Sequence, residues 1–204
     1  MKKIIIVVII ALASSCKSQY STTELKNNFS PNQIKDLNRI TEFFKDQMCL
    51  NMESDFETCY RRIPHEYLEA TGYGFWSNIN FEKQQDIYNK ISYSTFQEIW
   101  SFCKVIYPES GKELKSICAV PNGKYQKYLV EIGEKNPVIA DYATDINESG
   151  DFQSSSIKYW NVLKDRKHYN LNDPNIQLIL AIHFLSLNDQ HKREELVSNP
   201  QKKN

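Results

Sequence analysis

The chain reads as an all-α protein, a compact multi-helix domain, and three observations predict it. Apolar residues recur at helical spacing through most of the body, capping residues often followed by proline stand before those runs, and few stretches alternate with the period of two that half-buried strands require. Of the 204 residues, 41% are hydrophobic and 12% aromatic, enough to close one core.

The clearest start is Ser30-Pro31-Asn32-Gln33, which offers a capping hydroxyl, a proline at the first helical position and a glutamine placed to close a capping box. Ile34, Leu37, Ile40, Phe43, Phe44 and Met48 follow as one apolar stripe. After a turn over residues 49–54, Asp55 caps a second helix running towards Ala70, with Phe56, Tyr60 and Ile63 on one face, and Pro64 must kink or divide it. Residues 71–76 form a glycine-punctuated aromatic loop, and Asn80 caps a helix that carries Ile87 and Ile91.

Ser94 with Gln97 repeats the capping-box pattern and predicts a helix to Tyr107, whose face holds Phe96, Ile99, Trp100, Cys103 and Val105 or Ile106, ended by Pro108. Ser110-Gly111-Lys112-Glu113 is read as another box opening a short helix with Leu114, Ile117 and Cys118. Pro121-Asn122-Gly123 is a turn between helices.

In the second half Asn136-Pro137 and Asp173-Pro174 are both cap-proline helix starts, 37 residues apart. That spacing suits a paired-helix, solenoid-like repeat, but helices of ordinary length in succession produce it too, so two copies leave the matter open. Between them, residues 147–156 form a polar loop, and Ile157, Trp160, Val162 and Leu163 mark a further helix. The last helix, from Pro174, is apolar nearly all round through Ile182 and Leu187, which places it at the centre of the core.

The first residues are of another kind. Lys2 and Lys3 precede an apolar run over residues 4–13 that is too short to span a bilayer, and small residues lead to Cys16. This segment resembles the signal of bacterial lipoproteins, with Ala13-Ser14-Ser15-Cys16 where that family has its lipobox; the family's usual leucine is Ala13 here, and Leu12 stands one place upstream. The resemblance implies removal of residues 1–15, acylation of Cys16 by palmitate-like chains, and a membrane partner through that lipid. Lys17 rather than aspartate after the cysteine would imply outer-membrane sorting, facing the periplasm. Residues 16–29 then serve as the lipid-bearing cysteine and a flexible polar tether, residues 30–197 as the helical domain and residues 198–204 as a polar tail.

Export makes the remaining cysteines informative. Cys49, Cys59, Cys103 and Cys118 are an even set, which argues for two disulfides, and the local pairs Cys49–Cys59 and Cys103–Cys118 are favoured because each closes a short loop between neighbouring elements. On the helical reading the second pair staples two antiparallel helices. A metal site is the competing reading, but no CxxC occurs and His65, His168, His183 and His191 fall into no ligand pattern.

Charge and motifs narrow the function. Lys and Arg number 25 against 25 Asp and Glu, and without Lys2 and Lys3 the positive count falls to 23, so there is no basic stripe for nucleic acid. His65-Glu66-Tyr67-Leu68-Glu69 begins like a zinc-protease helix, yet Glu69 stands where the second histidine belongs. Glu66 and Glu69 ahead of Tyr73, Phe75 and Trp76 also suggest a glutamate general acid for glycan hydrolysis of the cell wall, kept as the alternative. His183 lies in an apolar run and reads as a core histidine. With no catalytic residue, cofactor or metal assigned, the favoured reading is a non-catalytic module that binds an envelope protein, such as an immunity or inhibitor protein. Tyr73, Phe75 and Trp76, with Glu66 and Glu69, are its candidate contacts.

Overall fold

The structure, a computed structural model, describes residues 20–49, 55–64, 75–106, 111 and 113–198. It is mainly helical, as expected, but it also contains a small sheet. In order the elements are α1 (Thr23–Asn28), α2 (Pro31–Met48), α3 (Phe56–Arg62), a 3-10 turn (Phe75–Asn78), α4 (Phe81–Lys90) and α5 (Tyr93–Phe96). Then follow β1 (Trp100–Ile106), β2 (Glu113–Ala119), α6 (Lys124–Gly133), α7 (Pro137–Ser149), α8 (Tyr159–Lys164) and α9 (Pro174–Ser198).

Local signals place most helix starts. Ser30 Oγ accepts from the Gln33 N–H at 3.4 Å and Gln33 Oε1 accepts from the Ser30 N–H at 3.1 Å, so the capping box of α2 is closed on both sides. Asp55 caps α3, which ends at Arg62, two residues before Pro64. Asn80 caps α4 and Asn136 caps α7, and Asp173 Oδ1 accepts from the Asn175 N–H at 2.8 Å at the head of α9. Pro121-Asn122-Gly123 turns into α6; a Cβ on Gly123 would collide with the Glu98 carbonyl oxygen, so the turn needs glycine for its close approach.

α9 is the axis of the molecule. Every residue from Asn175 to Asp189 is buried, because this one helix is wrapped on all sides by α2, α4, the 3-10 turn and β2. Ile34, Leu37, Ile40, Phe44 and Met48 of α2 pack towards it, and the Phe44 ring stacks on Phe184 at 6.1 Å. Gln84 of α4 is matched in this interface: it donates to the Leu185 carbonyl at 2.7 Å and accepts from Asn188 Nδ2 at 2.7 Å.

Three expectations are corrected. First, residues 100–106 and 113–119 are an antiparallel hairpin, with Trp100 opposite Ala119 and Ile106 opposite Glu113, and not two helices. α5 is a single turn capped by Ser92, not a long helix opened by Ser94. β-branched and aromatic residues in β1 suit a strand, and Gly111, at φ +65, adopts the left-handed conformation that the supposed helix cap would not need. Alternation is hard to see because burial does not follow one face of the hairpin: Trp100, Leu114, Ile117 and Ala119 are buried, whereas Phe102 and Ile106 stand out in solvent.

Second, both expected disulfides are present, Cys49–Cys59 and Cys103–Cys118, with Cα atoms 5.7 and 5.9 Å apart. The second staples strands and not helices, diagonally, since Cys103 lies opposite Ser116 and Cys118 opposite Ser101.

Third, part of the supposed tether is folded. α1 is capped by Thr22, and Leu25 and Phe29 are buried. Asn175 holds this segment: its Oδ1 accepts from Thr22 Oγ1 at 2.7 Å and Tyr128 Oη at 2.9 Å, and its Nδ2 donates to Glu24 at 3.1 Å. The polar loop after α7 also starts late, since α7 continues to Ser149 before Gly150 caps it.

Candidate functional site

β2 packs along α9, and β1 beyond Trp100 is the strand of the hairpin that reaches solvent. At its base Trp100 donates its indole N–H to Ser186 Oγ at 2.8 Å, locking β1 to the middle of α9. β2 is covered on its outer side: Gln190 Nε2 donates to the Ile117 carbonyl at 2.9 Å, and the Ala119 N–H donates to the Gly150 carbonyl at 3.1 Å. β1 is different. Among the described residues no backbone group of residues 101–106 bonds to anything except β2, so alternate N–H and C=O groups along β1 face outward as an open edge.

Large apolar side chains sit on this edge. Phe102 is 53% exposed and Ile106 60% exposed. The Phe102 ring is held from below by Phe96 at 5.7 Å and flanked by the Lys115 ammonium at 4.1 Å and the Arg193 guanidinium at 5.5 Å. Arg193 is itself anchored on Asp189, whose side chain is fully buried and also accepts from Gln85 at 2.8 Å. Lys104 pairs with Glu113 across the strands at 2.8 Å. An exposed ring on a stapled strand has few rotamers to lose on binding, which is what an interface anchor requires.

The sequence-predicted contacts fall elsewhere. Cys16, Glu66, Glu69 and Tyr73 lie outside the described residues, as does most of the aromatic loop. Phe75 opens the 3-10 turn. Trp76 is half-buried and stacks on Phe184 at 6.4 Å, so its ring contributes to the core. Phe102 and Ile106 were hidden by the helical reading; a strand reading of residues 100–106 places both on one face, since they are separated by an even number of residues.

No protein-family model, curated protein or solved structure matches the chain.

The interior holds a second polar cluster. Tyr142 Oη lies 3.2 Å from His183 Nδ1, and Tyr125, Tyr128, Tyr60 and Tyr169 are buried with them. Burial drives the His183 pKa down to about 3 and pushes Tyr169 up to about 12, with Tyr125, Tyr128, Tyr142 and Tyr60 also raised by burial. His183 is therefore neutral and the phenols protonated across the ordinary pH range, the state of core side chains and not of proton-transfer groups. The histidine is a core residue, as its apolar neighbours in the sequence imply.

A concavity lies on the opposite side of α2 from the core. It is a groove of about 810 Å³ between α2, α4 and the chain at Tyr20, lined by the apolar Phe43 and Ile87 and by charged residues of both signs, Lys35, Arg39, Lys45 and Lys90 with Glu42 and Asp46. A volume of this size is in the range of ligand and peptide sites.

Proposed function

We propose that this chain is an exported, lipid-anchored protein of the bacterial envelope that binds another protein without catalysing a reaction. Its concrete form is an immunity or inhibitor protein that neutralises a toxin or hydrolase entering the periplasm. The Cys16 signal supplies the address, and Lys17 favours the outer membrane. Two disulfides in so small a body suit an oxidising compartment.

The observation that carries the binding reading is the stapled hairpin with its open β1 edge and the exposed side chains Phe102 and Ile106. Unprotected apolar edges invite pairing, and monomeric proteins generally blunt them. A partner that adds a strand to β1 would cover both side chains and satisfy the outward backbone groups.

A photo-cross-linker placed at Phe102 in living cells tests this. It should trap one envelope or incoming protein that the same probe at Lys158, at the start of α8, does not trap. Phe102→Asp with Ile106→Asp should abolish the adduct and remove protection in competition against a toxin-delivering neighbour. Full protection by that folded double variant would overturn the reading.

A further inference from the structure

We propose that the groove beside Tyr20 is the membrane-facing side of the body and seats the phosphate of an anionic phospholipid headgroup on Lys35, Arg39 and Lys90. The proposal rests on the acylation of Cys16 put forward above, and it adds an orientation and a ligand class to it.

The first observation is where the chain leaves the folded body. Asn38 of α2 clamps the backbone of Tyr20 from both sides: the Tyr20 N–H donates to Asn38 Oδ1 at 3.1 Å, and Asn38 Nδ2 donates to the Tyr20 carbonyl at 2.9 Å. Lys45 holds the Tyr20 ring at 5.3 Å. The exit point is therefore pinned to the wall of the groove. Cys16 is four residues upstream, and four residues reach about 14 Å even when fully extended. Whatever path residues 17–19 take, a lipid on Cys16 keeps Tyr20 and the groove beside it within about 14 Å of the acylated residue. α1 and the Asn175 network prevent this end from swinging away, because Thr22 and Glu24 are bonded to the first turn of α9.

The second observation is the charge at that mouth. Lys35 and Arg39 are one turn apart on α2, and Arg39 Nη1 reaches the Lys90 carbonyl at 3.5 Å, so these three residues line one end of the groove. Arg39 is paired with Asp36. Lys35 and Lys90 have no ion-pair partner among the described residues, and Lys45 is neutralised by Glu42 towards the far end, where Asp46 also lies. A monoanionic phosphate complements the Lys35–Lys90 end, and Tyr20, Phe43 and Ile87 give the glycerol and upper acyl region an apolar wall.

The test uses the acylated protein extracted from membranes. It is reconstituted into vesicles of phosphatidylcholine alone, or with about a third phosphatidylglycerol, and its lysines are footprinted with a water-soluble acylating reagent. Modification of Lys35 and Lys90 should fall by about fivefold each in the anionic vesicles relative to the neutral ones, the partition factor of one interfacial cation, while Lys158 is unchanged. In the lipid-free chain, Lys35→Glu with Lys90→Glu should abolish flotation with anionic vesicles without lowering the melting temperature. Equal labelling in both vesicle types would overturn the proposal. So would protection of both lysines by polyglutamate in detergent without protection by anionic vesicles, which would make the groove a site for acidic protein. The anchor is scored separately: an intact mass lacking acyl chains on Cys16 would remove the lipoprotein reading, and vesicle flotation of the lipid-free chain would then judge the groove alone.

Discussion

The indole N–H of Trp100 donates to Ser186 Oγ at 2.8 Å, and the same hydroxyl donates to the Ile182 carbonyl one turn back at 2.6 Å. Both residues are buried, Trp100 to 1% and Ser186 to 0% exposure. Ser186 thus gives the hairpin base a buried polar anchor on α9. Ser186→Ala should leave a buried indole donor unpaired and cost about 1–3 kcal/mol in urea unfolding. Adding Trp100→Phe should recover part of the Ser186→Ala loss, giving a coupling of about 1 kcal/mol in the double-mutant cycle; strictly additive losses would show that the bond is not what joins hairpin to helix.

Asp36 does the corresponding work between α2 and α5. Its carboxylate accepts from the Ser92 N–H at 2.9 Å, Ser92 Oγ at 2.7 Å, Thr95 Oγ1 at 2.8 Å and Arg39 at 2.8 Å. Burial alone would raise its pKa, but the Ser92 and Thr95 donors together with Arg39 bring it below the ordinary value. Asp36→Ala should cost about 2–4 kcal/mol, because it strips four donors of one acceptor. Asp46→Ala, on the exposed face of the same helix, should stay within about 0.5 kcal/mol. Because the folded pKa of Asp36 is depressed, its contribution is present above the unfolded value and is lost as pH falls through the folded one.

His183 governs the milder acid range. Its folded pKa of about 3 lies below the unfolded value of roughly 6.5, so below the latter the unfolded chain takes a proton that the native core refuses. Stability should therefore decline by about 2 kcal/mol between about pH 7 and about pH 5 from this residue alone. Urea titrations of wild type and His183→Gln at both pH values isolate it: the variant starts less stable but should show a slope shallower by that amount. Parallel pH profiles would refute a neutral buried imidazole.

The Cys103–Cys118 staple closes a separation of 15 residues, for which chain-entropy models give about 3 kcal/mol. Cys103→Ser with Cys118→Ser should lower unfolding stability by about that much, and the trapped partner should be released faster because the β1 edge is no longer held flat. Non-reducing peptide mapping of the wild type should recover Cys49 with Cys59 and Cys103 with Cys118; four alkylatable thiols would contradict both bonds.

Helix caps were legible because they are local. Ser30 with Gln33, Asp55, Asn80 and Asn136 satisfy backbone groups within a few residues of themselves, so chemistry and spacing suffice to find them. The disulfide pairing was legible for the same reason, since each bond closes a short loop. The hairpin was not. Phe96, Ile99, Trp100 and Cys103 fit a helical face as well as a strand, and the outward position of Phe102 and Ile106 erased the alternation that would have decided. α1 was missed because a polar segment with only Leu25 and Phe29 to bury gives no periodic signal, and its partners Asn175 and Tyr128 are far away in the chain.

By itself, then, the sequence determined the capped helices, the all-round apolar helix from Pro174 that became the axis, and the two short covalent loops. Each depends on interactions between residues close in the chain or on composition. Only the tertiary structure decided that residues 100–119 are strands, that Asn38 pins the chain at Tyr20 to the α2 groove, and that Phe102 rather than Trp76 faces solvent. Those outcomes turn on which surfaces α9 covers and which it leaves bare, and burial against a distant element has no signature in the neighbours of a residue.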